Sequence, residues 1–222
     1  MQPTISPITI HDCYIIKNGY KEYQFPKCLE FLQQSGRLKY GQKFKIQEQD
    51  HKVIYKLIIY AIQDKEMAHQ LGIDLKKGIL LSGPVGCGKT SLMNLIKPFV
   101  YPKNEYRVIA TRTVAFEFGQ VGFEALGNYT QKSMQHGKVL NYCFDDLGAE
   151  QQIKHFGNEC NVMAEILNSR YDAFIDHGCI THLTTNLSAT ELEKFYGNRV
   201  RSRLRAMFNL ISFDANTTDK RI

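Results

Sequence analysis

"GILLSGPVGCGKTSLMNLI", residues 78–96, decides how the rest of this 222-residue chain is read. An apolar run enters a glycine-rich turn and leaves it as "GKTSLMNLI", which has helical texture. That order predicts a buried strand, a tight loop and a helix. The turn "GPVGCGKT" (83–90) fits G-x-x-x-x-G-K-[ST], with Gly83, Gly88, Lys89 and Thr90 in the fixed places. A chance match in a chain of this composition is on the order of one in a hundred. A polyphosphate packs negative charges closely, so its site needs many short-range donors and little bulk. Glycines let successive backbone N–H groups turn inward, and the helix N-terminus adds partial positive charge. The expected nucleotide contacts are Gly83, Pro84, Val85, Gly86, Cys87, Gly88, Lys89, Thr90 and Ser91. Lys89 is expected at the β- and γ-phosphates of ATP, and Thr90 on Mg²⁺. Cys87 lies near Lys89 and the helix start, where a thiol pKa is expected to fall; a small filler in a tight turn is the other reading.

Outward from this loop the pattern repeats. "YRVIAT" (106–111), "VLNYCFDD" (139–146), "CITHLTTN" (179–186) and "NLISFDA" (209–215) are further strand candidates. Helical material separates them, to about residue 136 and again over 161–178, where Gly178 is the expected stop. Apolar strands alternating with helices predict an α/β domain with an open parallel five-stranded sheet covered on both faces. The preamble starts irregularly, with Pro3, Pro7 and Pro26. It continues through a short helix, "CLEFLQQSG", ended by Gly36, and a longer helix capped by Asp50 with Gly72 past its end. The expected division is a partly helical segment, 1–72, and a core, 73–222.

Two strand ends carry chemistry. "CFDDLG" delivers two carboxylates opposite the loop: Asp145 to hold Mg²⁺ through water, and Asp146 to orient or deprotonate an attacking water. Asp146 is one methylene shorter than the glutamate usual there, so Glu150 is kept as a helper. "TTN" (184–186) ends the fourth strand, and strand C-termini converge on the ligand crevice in such sheets. Asn186 is expected either to touch the γ-phosphate or the attacking water, or to cap the following helix.

Composition narrows the classes. A net charge of +6 permits contact with a polyanion without requiring it. Six cysteines with no C-x-x-C pair leave zinc-ribbon and dithiol readings without support and suit a reducing cytosol. The start lacks a signal-peptide pattern, and "VIYKLIIYAI" is too short to span a bilayer, so a cytoplasmic protein without a membrane partner is expected.

"YGNRVRSRLRAMF" (196–208) places Arg199 and Arg203 on one shoulder of a helix and Arg201 and Arg205 on the other. Val200, Leu204, Met207 and Phe208 form the apolar stripe between. A solvated basic face is the plain reading. In the order "GPVGCGKT", "CFDDLG", "HLTTN", "YGNRVRSRLRAMF", however, residues 70–215 resemble the AAA+ ATPases, within them the DnaC-like helicase loaders and IstB-like transposition helpers. The resemblance implies Walker A at Lys89 and Thr90, Walker B at Asp145 and Asp146, and sensor 1 at Asn186. It also implies an arginine finger, Arg199 or Arg203, that enters a neighbouring subunit's site. ATP-dependent self-association, single-stranded DNA and a helicase or transposase client are implied with it. A helical lid does not fit after Asp214, as in that branch, so closure over the nucleotide is expected from a neighbour and monomer turnover is expected to be slow. Two alternatives stand beside a loader or remodeller: a nucleotide-bound scaffold that hardly hydrolyses, and a small-molecule kinase with the same loop. A GTPase lacks its Asn-Lys-x-Asp stretch.

Overall fold

Within the first core strand, alternate residues face opposite layers. In the computed structural model Ile79 and Leu81 are buried in one apolar cluster and Leu80 in another. The structure describes residues 7–130, 133–135, 138–150, 153–155 and 158–221. Pro3 and part of the stretch near 136 lie outside them.

The chain begins with a short hairpin, β1 (Tyr14–Lys17) and β2 (Tyr20–Tyr23), turning at Asn18 and Gly19, both with positive φ. Asn-Gly is the pair that a two-residue hairpin turn of this hand favours. Helices α1 (Phe25–Tyr40), α2 (His51–Ala61) and α3 (Lys65–Gln70) follow. Then come β3 (Gly78–Ser82), α4 (Lys89–Leu95), β4 (Tyr106–Ala110), α5 (Thr111–Val121) and α6 (Phe123–Tyr129). A small ribbon, β5 (Met134–Gln135) with β6 (Lys138–Val139), precedes β7 (Asn141–Leu147). A second ribbon, β8 (Ile153–His155) with β9 (Asn158–Cys160), leads into α7 (Val162–His177). β10 (Thr181–Thr185), α8 (Ala189–Met207) and β11 (Phe208–Ser212) complete the order.

Five strands form one all-parallel sheet in the order β11-β3-β10-β7-β4. α1, α2 and α4 share a cluster with Ile79, Leu81, Cys143 and Ile211. α5, α7 and α8 share the other with Leu80, Phe144 and Leu183. The sheet is therefore covered on both faces, as a phosphate-loop NTPase sheet requires, and α1 and α2 buttress one of them. Among the described residues no helix is long and apolar enough to cross a membrane.

Three local expectations are corrected. Gly36 does not stop α1; it lies inside it, because a Cβ there would come within 2.1 Å of the Phe44 ring, and the helix ends at Gly41 with φ 98°. The helix after Asp50 breaks at Gln63, which has positive φ, and restarts as α3 with the Asp64 carboxylate accepting from the Met67 amide. The Asp50 side chain caps neither helix through a bond to α2; it accepts from the Gln47 amide and pairs with Lys220.

Among the described residues, one large cation is fully buried without a carboxylate partner. Arg170 of α7 is fully buried. Its guanidinium donates to the carbonyls of Tyr129, Leu140 and Ile180 and to the Thr181 hydroxyl, with the Tyr142 ring 5.2 Å away. The Tyr129 carbonyl ends α6, and those of Leu140 and Ile180 lie just before β7 and β10, so Arg170 supplies donors to main-chain groups at element ends. Arg170 closes that edge of the core.

Candidate functional site

The loop 83–90 joins β3 to α4, and Gly88, at φ 99°, occupies the N-cap position of α4. Lys89 is buried, and its ammonium donates to the carbonyls of Gly83 at 2.8 Å and Pro84 at 2.9 Å. The lysine is folded onto its own loop. Burial pushes the Cys87 thiol up, with Lys89 and Lys220 pulling the other way. The fall expected for this thiol is thus overturned, since the side chain is fully buried among loop and core atoms.

Strand order brings the remaining groups to this loop. β10 lies between β3 and β7, so the ends of all three meet. The Thr90 hydroxyl donates to the Asp145 carboxylate, 2.9 Å from both oxygens. The Thr184 hydroxyl donates to the same carboxylate at 2.6 Å and accepts from the Asp146 amide at 2.8 Å. Asp145 is buried; that raises its pKa, while the bonds from Thr184 and Thr90 pull it down. Asp146 is exposed and has φ 63°, an uncommon conformation for a residue with a side chain. Thr111 holds it by donating to its carbonyl at 2.9 Å. Asn186 is exposed just beyond β10. It does not cap the next helix: Ser188 does, in a capping box with Glu191.

Several participants escape a reading of the sequence. Thr184 orients both acids of the pair, and only its place in "TTN" hints at it. Tyr40 stands at the end of α1; burial pushes its phenol up, and the nearby Ser91 hydroxyl pulls it down. Glu150 accepts from the Gly148 amide at 2.9 Å and from the Tyr196 hydroxyl, tying the loop after β7 to α8.

α8 carries the arginines. It kinks at Gly197 (φ 81°, ψ 164°), so the arginine-bearing half begins immediately after the kink. Val200, Leu204 and Met207 are buried as the apolar stripe. Phe208 is buried too, but as the first residue of β11, where it pairs with Gly78. Arg203 donates to Asn168 at 2.7 Å, stands 3.5 Å from Asp172, and lies over the Tyr171 ring. Arg201 pairs with Glu193. Arg199 is exposed, and among the described residues nothing within the chain bonds it.

Hard oxygen donors, Thr90 and Asp145, suit a small divalent cation. Among the described residues no group of three or more His, Cys, Asp or Glu could hold a metal alone. A magnesium ion bound largely by phosphate and water needs no such cage.

The backbone matches solved structures with high coverage. The first is a proposed primosome component from Streptococcus pyogenes serotype M3, with TM-score 0.54, 17% identity, and 83% of this chain and 91% of that one covered. The chain shares the fold of the helicase loaders. The DnaC helicase loader matches at TM-score 0.52 and 15% identity, over 77% of this chain and 93% of that one. DnaI matches at TM-score 0.52 and 19% identity, over 78% and 89%. No protein-family model matches the chain, and no curated protein does.

Proposed function

We propose that this chain is an AAA+ ATPase that binds ATP with Mg²⁺, hydrolyses it between subunits, and loads a replicative helicase. The observation that carries the reading is the Thr90–Asp145–Thr184 cluster beside the Lys89 loop. A metal-binding hydroxyl and a buried carboxylate already touch, at the point where a glycine loop would present the phosphates. On nucleotide binding Lys89 leaves the Gly83 and Pro84 carbonyls for the β- and γ-phosphates. Thr90 and Asp145 would hold Mg²⁺, which would supply neutralisation of charge on the transferring phosphoryl group. Asp146 orients or deprotonates the attacking water, and Asn186 reads the γ-phosphate.

Arg199 is the finger in this reading. It is exposed and, among the described residues, unengaged within the chain, whereas Arg203 is held by Asn168, Asp172 and Tyr171. The helicase client rests on likeness in fold to DnaC and DnaI; no observation favours a transposase. Self-association follows from a finger that has no target in its own subunit. Single-stranded DNA is the proposed stimulus, supported by the basic net charge and exposed Arg205. Six free thiols suit a cytoplasmic setting.

One observation favours a second reading, a nucleotide-bound scaffold that hardly turns over. The catalytic carboxylate would be the short Asp146, on a backbone with positive φ.

Titration with a fluorescent ATP analogue and Mg²⁺ tests the common core of both readings. Wild-type protein binds, and Lys89→Ala loses on the order of a hundredfold in affinity, the scale of two charge-assisted bonds. Equal binding by the variant contradicts both.

A further inference from the structure

The residues after β11 return to the phosphate loop. Thr217 is buried, the Lys220 amide donates to the Gly86 carbonyl at 3.1 Å, and the Lys220 ammonium donates to the Cys87 carbonyl at 2.8 Å. The same ammonium binds both oxygens of Asp50, at 2.6 and 2.7 Å. The neighbouring Asp219 carboxylate lies so close to Gly86 that a Cβ there would come within 2.0 Å of it. Two lysines from opposite ends of the core thus hold the loop's carbonyls: Lys89 those of Gly83 and Pro84, Lys220 those of Gly86 and Cys87.

We propose that Lys220 is a positioning residue of the nucleotide site, clasping the phosphate loop to the buried Asp50 so that the loop's amides stay aimed at the phosphates. In a trans peptide the N–H points opposite its C=O, so fixing the Cys87 carbonyl also fixes the direction of the Gly88 amide. Preorganised amides lower the cost of ordering the loop when an anion arrives. The anchor is rigid. Asp50 begins α2, whose Val53, Ile54 and Leu57 share a cluster with Ile79 and Leu81 of β3. Asp50 is itself only 2% exposed, and a buried carboxylate without its cation is strongly disfavoured, so the clasp stays closed. The tail's bonds to the loop run to carbonyl oxygens, those of Gly86 and Cys87. Lys220 therefore acts through the loop and does not touch the substrate. The inference rests on the nucleotide-binding reading above.

Four proteins test it: wild type, Lys220→Met, Lys220→Arg and the double variant Asp50→Asn/Lys220→Met. Each is measured for the dissociation constant of N-methylanthraniloyl-ATP, for KM and kcat of ATP hydrolysis, and for the ligand-free unfolding midpoint. Lys220→Met is expected to raise the dissociation constant and KM about tenfold, with kcat at saturating ATP unchanged, the pattern of binding lost equally from ground and transition states. Lys220→Arg, which keeps a cation and its donors, restores most of the affinity. Lys220→Met also lowers the midpoint by stranding Asp50; the double variant recovers the midpoint but still binds weakly. Wild-type affinity in Lys220→Met overturns the proposal. So does recovery of affinity together with the midpoint in the double variant, which would make the pair a matter of fold stability alone. Failure of wild-type protein to bind the analogue is a different result: it removes the nucleotide reading and the clasp with it.

Discussion

Asp145 is held in a state that suits a metal better than an empty site. Burial raises its pKa, and two hydroxyls offset that only in part. A carboxylate whose folded pKa is raised makes the folded state less stable, relative to the unfolded one, as pH rises through that pKa. Asp145→Asn is therefore expected to raise the ligand-free unfolding midpoint at pH 7 by about 2–4 °C while abolishing Mg²⁺-dependent hydrolysis. A scanning-calorimetry midpoint at or below wild type counts against this account of the carboxylate. His182 has the opposite consequence. Buried between Tyr60 and Tyr106, with its Nδ1 accepting from the Ile79 amide, it has a pKa pushed by burial down to about 3. The neutral ring contributes fully above its unfolded pKa, near 6.5, and that contribution is lost as pH falls towards 3. Urea unfolding should show a slope near 1.4 kcal/mol per pH unit in that window attributable to this group. His182→Asn should remove it, and an unchanged slope would show that other groups carry the acid sensitivity. The placement of Lys89 and Thr90 on one loop and of Asp145 and Asp146 at one strand end was legible, because each pair follows from a short spacing. Thr184, Tyr40 and Lys220 were not, since each acts on a residue far along the chain that only the folded sheet brings near.

The strands were the most legible elements. Most of the five are apolar runs between turns, as doubly covered parallel strands tend to be, although β10, Thr181–Thr185, is fully buried while mostly polar. Helix ends were harder. Gly36 has the composition of a stop, but the Phe44 ring that occupies its missing side chain belongs to another segment. The hairpin β1–β2 carried its signal, Asn18-Gly19, inside a stretch otherwise read as irregular. α8 combines both lessons. Its arginine stripe was visible, but its kink at Gly197 was not, because one glycine does not announce φ 81° and ψ 164°. That conformation is essentially restricted to glycine, and it sets where Arg199 points. Gly197→Ala is expected to cost about 1–3 kcal/mol of stability. It should also lower hydrolysis at high protein concentration more than nucleotide affinity. Paired measurements of affinity and turnover decide it: equal losses, or none, would mean the kink does not place the finger.

At the scale of the whole molecule, the sheet gathers the loop, the acid pair and Asn186 at one end, and among the described residues Arg199 has no carboxylate of its own to neutralise. On the proposed reading, the parts that would bind phosphate lie within one chain, and the cation that would complete hydrolysis, Arg199, is exposed. The tail through Lys220 braces the loop but supplies no substitute for that arginine. On the proposed reading, this arrangement would put turnover under the control of assembly. The most direct test is ATP hydrolysis per subunit measured across a range of protein concentrations, with and without single-stranded DNA, for wild type and Arg199→Ala. The account predicts that wild-type specific activity climbs with concentration and that DNA moves the climb to lower concentration. Arg199→Ala should bind ATP yet stay low throughout, by about a thousandfold at the plateau, the scale of an arginine finger. Specific activity that is flat with concentration, or an Arg199→Ala variant as active as wild type, would contradict it.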